Sequence, residues 1–160
     1  MAWLFTYGQL MWECEFPYRQ KFSAILPNYI RRFCAVDPGG RWATVLPLQN
    51  DRVWGILYEL PLEESNNILR KLDVYEDVTY TRKQLDCFKR GENTPIKAWV
   101  YMAKKEYVKA ESISDQALEI TKTLQAKTYF LKTAESVKRI LAEVGDKDEY
   151  LEELEKLVNP

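Results

Sequence analysis

The chain changes character once, and that change restricts it to a fold with a sheet built first and helices added after. From Ala2 to Met102 the apolar residues come mainly in short extended runs separated by turn residues. From Ile113 onward they recur at spacings of three and four. Ala2–Tyr7 reads as a dense apolar strand, and Lys21–Val36 as a longer extended stretch interrupted by Pro27-Asn28. Asp37-Pro38-Gly39-Gly40 is a strong turn signal. Trp42–Pro47 and Arg52–Leu60 read as neighbouring strands joined by the polar turn Gln49-Asn50-Asp51. In the second of these Trp54, Ile56 and Tyr58 share one face. Val53, Gly55 and Leu57 on the other carry no charge either, so both faces are expected to be covered.

Pro61-Leu62-Glu63-Glu64 has the proline and acids of a helix start, with Leu62, Ile68, Leu69 and Leu72 as its apolar side. Thr81–Phe88 and Ile96–Met102 are β-like, with a turn at Lys89–Asn93 between them. Ile113, Ala117, Ile120 and Leu124 then form one amphipathic stripe, and Phe130, Ala134, Val137, Leu141 and Val144 another. Gly145 fits a helix C-cap. Asp148–Val158 fits a last short helix with Leu151, Leu154, Leu157 and Val158 inside. The pattern predicts an α+β fold: a mixed sheet, closable into a small barrel, with C-terminal helices packed on it. At 160 residues, one domain over residues 1–160 is expected.

Histidine is absent, which removes every mechanism that needs an imidazole and the usual His-bearing metal sites. Acid–base work would fall to Asp, Glu, Lys, Tyr or Cys. The three cysteines, Cys14, Cys34 and Cys87, form no CxxC pair and read as buried small hydrophobes, with no metal site indicated. Reduced thiols and no visible signal peptide predict a cytoplasmic protein. The formal net charge of −1 and the short basic pairs Arg31-Arg32 and Lys104-Lys105 offer nucleic acid no patch. The apolar runs are too short to span a bilayer. Nothing specifies a protein partner or an oligomeric state.

Five Trp and ten Tyr argue for a core or cleft rich in aromatic surface. Two breaks in the pattern carry candidate chemistry. At Tyr7-Gly8 a glycine directly after a strand permits positive φ and close approach of the backbone to a ligand. The N–H groups of Gln9 and Leu10 could then face a carboxylate. A plain tight turn explains the same residues, and local pattern favours it. Glu76 follows the apolar helix end Ile68-Leu69-Arg70-Lys71-Leu72, where Tyr75 and Tyr80 are placed to dry its surroundings and suit it as a general base. A surface acid is the simpler local reading. Asp73 and Asp77 are rivals, Asp73 also being placed to satisfy backbone N–H groups at the helix end. Tyr129 opens the Phe130–Val144 helix at the edge of its stripe, where core packing is the simpler role.

Taken in order, these pieces resemble the γ-glutamylcyclotransferase superfamily, and within it the ChaC-like, glutathione-degrading branch. Phe5-Thr6-Tyr7-Gly8-Gln9-Leu10-Met11-Trp12 with Phe16-Pro17-Tyr18 resembles that branch's opening Tyr-Gly-Ser-Leu, Ile-Trp and later Phe-Pro-Tyr. Arg31-Arg32-Phe33 and Val53–Pro61 resemble its next signatures. Leu72-Asp73-Val74-Tyr75-Glu76 with Tyr80 resembles the segment carrying the catalytic glutamate. Tyr129-Phe130-Leu131 resembles the C-terminal tyrosine motif, and Tyr150-Leu151-Glu152-Glu153-Leu154 also fits.

The resemblance implies a small β-barrel with helices around it and no metal or organic cofactor. It implies Glu76 as the catalytic residue, and Tyr7, Gly8, Gln9, Leu10, Tyr80 and Tyr129 as substrate-binding. The implied activity releases 5-oxoproline from a small γ-glutamyl molecule, glutathione first, with γ-glutamyl amines or γ-glutamyl amino acids as alternatives. A non-catalytic small-molecule binding module on the same fold is the reading from a different class. Gln9 stands where the family usually has Ser, and Asp77-Val78-Thr79 replaces a commonly glycine-containing stretch. Both departures bear on which γ-glutamyl compound is accepted and on whether catalysis is retained.

Overall fold

β1 (Ala2–Thr6), β2 (Gln20–Asp37), β3 (Gly40–Leu60), β4 (Tyr80–Lys89) and β5 (Ile96–Ala103) close into a barrel in the order β1-β3-β2-β4-β5. The structure, a computed structural model, describes residues 2–37, 40–76 and 78–160. Neighbouring strands run antiparallel except where β1 meets β5 in parallel, pairing Leu4 with Trp99 and closing the ring. Four helices complete the chain: α1 (Ser65–Glu76), α2 (Ile113–Thr121), α3 (Leu124–Val144) and α4 (Glu149–Val158). The α+β barrel expected from the sequence is the fold observed. Asp37 pairs with Gly40 as the turn signal required, although Pro38 and Gly39 themselves lie outside the described residues.

The expected turn at Gln49-Asn50-Asp51 does not reverse the chain. β3 runs through it, and both of its halves pair with β2: Tyr29 faces Pro47 on one side, Pro27 faces Arg52 on the other. Asn50 adopts φ 68° and, opposite it, Asn28 adopts φ 65°. The Asn50 N–H donates to Asn28 Oδ1 at 3.1 Å. Between these pairs β2 has only Asn28 while β3 has Leu48–Asp51, so the two left-handed asparagines mark a bulge in β3 that bends the hairpin rather than ends it. The polar triplet marks a backbone irregularity in both readings, and the partner strand decides which kind.

Alternation along β3 divides the interior. Val53 and Leu57 face the main core with Phe5, Leu26, Phe33 and Val100, and this core continues into the buried faces of α2, α3 and α4 through Ile120, Phe130, Val137, Leu151 and Leu154. Tyr58 and Leu60 face outward, where α1 covers them with Ile68 and Leu69, joined by Leu4 and Tyr101. Both faces of the strand are thus covered, as its composition predicted. Gly55 is required: a Cβ there would meet the Thr6 carbonyl oxygen at 2.2 Å and Phe5 at 2.8 Å.

Four helix details depart from the sequence pattern. The α1 helix begins at Ser65, so Leu62 lies in the preceding turn and is 65% exposed rather than on its apolar side. Leu124 does not continue the α2 stripe. Thr123 accepts from the Ala126 N–H as the N-cap of α3, so Leu124 starts the new helix and is exposed. Tyr129 consequently lies in the second turn of α3, not at its opening, and is buried. Leu157 is partly exposed, while Leu151, Leu154 and Val158 are buried as expected. Gly145 ends α3 at φ 70°. No helix among the described residues is long and apolar enough to cross a membrane.

Candidate active site

A cavity of about 1180 Å³ opens between the end of β1, the last turn of α1 and the first turns of α3. Tyr7, Gly8, Gln9, Leu10, Glu76, Tyr80 and Tyr129 all line it. The chain thus brings together residues that lie up to 122 positions apart (129 − 7).

The loop after β1 forms its floor. Gly8 has φ −136°, so positive φ is not what the glycine provides. Its value is the missing side chain: a Cβ would stand 2.7 Å from the Tyr129 hydroxyl oxygen. Gln9–Met11 then turn as a short 3₁₀ helix, with the Met11 N–H donating to the Gly8 carbonyl at 3.0 Å. Among the described residues no acceptor holds the Leu10 N–H. The Gln9 side chain turns along the helix and donates to Glu13 Oε2 at 2.9 Å.

Arg31 braces this loop from below. It is buried, with Nε donating to the Tyr7 carbonyl at 3.0 Å, Nη2 donating to the Trp54 carbonyl, and Asp148 at 3.7 Å. The sequence showed only a basic pair there. No local signal marks Arg31 as buried, because its acceptors come from the loop after β1 and from β3.

Two tyrosines clamp the backbone of Ala43, which packs beside Gly8. The Ala43 N–H donates to the Tyr129 hydroxyl at 3.2 Å, and the Tyr80 hydroxyl donates to the Ala43 carbonyl at 2.7 Å. Tyr129 is further wedged edge-on against Trp42, with centroids 4.8 Å apart, and against Phe33 and Trp12. Burial, joined by the Glu76 charge, pushes the Tyr129 hydroxyl well above its usual pKa, so it stays protonated. Its oxygen accepts from the Ala43 amide, so its own proton is directed to an acceptor other than that group.

Glu76 is the last residue of α1 and is half-buried. Tyr75 does not dry it, being 72% exposed at the cavity mouth. The buried tyrosines near it are Tyr7, Tyr101 and Tyr129, each pushed up in pKa first by burial and also by the charge of Glu76. Asp73, the rival carboxylate, is taken. It accepts from the Tyr101 hydroxyl at 2.7 Å and from Arg82 Nε at 2.8 Å, and from no backbone N–H among the described residues. Burial raises its pKa, but Tyr101 and Arg82 outweigh that and hold the carboxyl below its ordinary value. Tyr101 thereby ties the last turn of α1 to β5. Asp77 lies outside the described residues, while Val78 and Thr79 line the cavity.

The thiols stay out of this chemistry. Burial pushes Cys34 up to about 11 and Cys87 up to about 12, and raises Cys14 as well.

The family model described as ChaC-like protein matches residues 2–160. The chain belongs to the ChaC-like family. Among ChaC-like relatives, the glutathione-specific gamma-glutamylcyclotransferase 1 of Danio rerio is 31% identical over 112 residues, 63% of this chain and 57% of the relative. The protein of the same name from Homo sapiens is 30% identical over 112 residues, 63% of this chain and 50% of its own. This ChaC-like chain spans little more than half the length of these curated relatives. A crystal structure of a yeast gamma-glutamyl cyclotransferase specific to glutathione superposes with a TM-score of 0.82 at 19% identity. It covers 99% of this chain and 97% of the yeast one, and so shares the fold.

Proposed function

We propose that this ChaC-like chain is a γ-glutamylcyclotransferase acting on glutathione, releasing 5-oxoproline and cysteinylglycine. The observation that carries the reading is one cavity lined both by a half-buried carboxylate, Glu76, and by the Tyr7–Leu10 loop. The names of the relatives supply the substrate.

The reaction is an intramolecular aminolysis. The substrate's α-amino nitrogen bonds to its own γ-carbonyl carbon, and the bond from that carbon to the cysteine nitrogen breaks. The attacking nitrogen is an ammonium at neutral pH and sheds two protons on becoming a lactam. The departing nitrogen gains two on becoming an ammonium. The reaction is proton-neutral, so a single carboxylate suffices as relay: Glu76 takes the two protons from the attacking nitrogen one after the other and returns each to the leaving nitrogen. Such acid–base help is worth about 10²–10⁴ in rate.

Positioning contributes more, since well-oriented intramolecular reactions reach effective molarities on the order of 10⁵–10⁸ M. The α-carboxylate is assigned to the Leu10 N–H and its loop, braced by Arg31, and the Tyr129 hydroxyl donates to substrate. Tyr80, whose proton is given to Ala43, meets substrate as an acceptor.

The test follows 5-oxoproline release from glutathione, γ-glutamyl amines and γ-glutamyl amino acids by the purified chain. Release from glutathione is expected. Release from the amines alone would change the substrate. No release from any of them, with binding retained, would make this a binding module.

A further inference from the structure

Among the described residues, the charged side chains lining the cavity are Glu13, Glu76 and Lys132. Glu13 already accepts from Gln9. Lys132 is the single cation of the set. It follows Tyr129 by three positions on α3, which places both on the same wall of the helix. Tyr129 is buried and Lys132 exposed, so this wall runs from floor to mouth. The Lys132 ammonium stands 5.0 Å from the centre of the Trp12 ring. Trp12 is itself anchored, its indole N–H donating to Thr133 Oγ1 at 3.1 Å. No ion pair within the described residues neutralises Lys132.

Glutathione carries carboxylates at both ends. The reacting amine shares its carbon with the α-carboxylate, so a substrate whose amine meets Glu76 keeps that carboxylate on the floor. The glycine carboxylate lies two residues beyond the scissile bond, roughly 7 Å away when extended. That distance carries it toward the mouth. We infer that Lys132 receives the terminal carboxylate of the leaving dipeptide, and so selects γ-glutamyl peptides ending in a free acid over amidated peptides and γ-glutamyl amines. The inference deepens the glutathione reading and rests on it. A tryptophan ring beneath an ammonium holds it without neutralising it, which leaves its charge for an incoming anion.

The experiment compares glutathione with its C-terminal primary amide. For the wild type and Lys132→Gln, the kcat/KM ratio of acid to amide is read from 5-oxoproline release. The Kd ratio is read by calorimetry in a Glu76→Gln background, where turnover is suppressed. The wild type should favour the acid by roughly tenfold, as for a hydrogen bond to a charged group. Lys132→Gln should bring both ratios close to one, chiefly through KM, and Lys132→Arg should restore much of the preference. Gln is a good helix former, so α3 persists. A preference unchanged in Lys132→Gln overturns the inference. So does an equal loss for acid and amide, which would assign Lys132 to the α-carboxylate or to folding. A wild type that releases no 5-oxoproline refutes the reaction, while the Kd ratio still decides Lys132.

Discussion

Gly8 and Tyr129 occupy each other's space. The hydroxyl of Tyr129 fills the position where a side chain on residue 8 would begin, 2.7 Å from the ideal Cβ. That oxygen sits at the end of a rigid ring, accepting from the amide of Ala43. It has no flexible tail with which to give way. The tight packing joins the floor loop to α3, so the shape of the cavity depends on both.

Gly8→Ala should therefore act as overpacking, costing about 1–3 kcal/mol and lowering the melting temperature by several degrees. In a Tyr129→Phe background the clashing oxygen is gone, and the same alanine should cost less. A thermal double-mutant cycle measures the difference, and strict additivity would contradict the close approach.

Glu76→Gln keeps the shape and hydrogen-bonding capacity of the side chain but cannot relay a proton. Turnover should fall by roughly two to four decades while substrate binding stays measurable. Single-turnover kinetics with calorimetric binding checks this, and an unaltered rate removes Glu76 from the mechanism.

Arg31→Met strands the Tyr7 and Trp54 carbonyls and leaves Asp148 without its buried partner. Breaking a buried charged network typically costs about 3–5 kcal/mol, readable as a lower urea midpoint. Arg31→Lys cannot reach both carbonyls with one ammonium. It should fold, with a raised KM from a displaced floor loop.

Asp146 gives the acid limb of stability. Its hydrogen bonds from Arg52, with help from Lys147 N–H and Trp54 Nε1 and against the opposing effect of burial, hold its carboxyl far below the ordinary value. A depressed folded pKa stabilises fully above the unfolded value, about 3.9, and that contribution is lost as pH falls through the folded value. Asp146→Asn should destabilise the fold at pH 7 by roughly 1 kcal/mol after allowing for the exposure of Arg52, read as a lower melting temperature. The gap from the wild type should narrow steadily below about pH 4. Melting curves across pH check the sign, and a gap that widens in acid would refute it.

Much of the site was readable as residue types. Tyr7-Gly8, Glu76, Tyr80 and Tyr129 stand out by position and by resemblance, and all line one cavity. Their partners were not readable. Asp73 and Glu76 lie three residues apart near one helix end, and sequence treats them as rivals. Tyr101 and Arg82, arriving from β5 and β4, bind the first. Lys132 was within reach of helical spacing from Tyr129, but a lone lysine on a helix reads as solvated surface. Trp12 beneath it is 120 positions away (132 − 12).

The chain's own residues determine where strands give way to helices, where Gly145 and Asp148 cap them, and that the chain brings no imidazole to any chemistry. These depend on backbone preference and side-chain type, which act over a few neighbouring residues. Tertiary structure alone decides that Asn50 bulges opposite Asn28 instead of turning, that Gly8 yields its space to a phenol, and that Arg31 is buried beneath the floor. Each of these is a contact between segments remote in sequence. Its energy exists only once barrel closure has brought the two surfaces together.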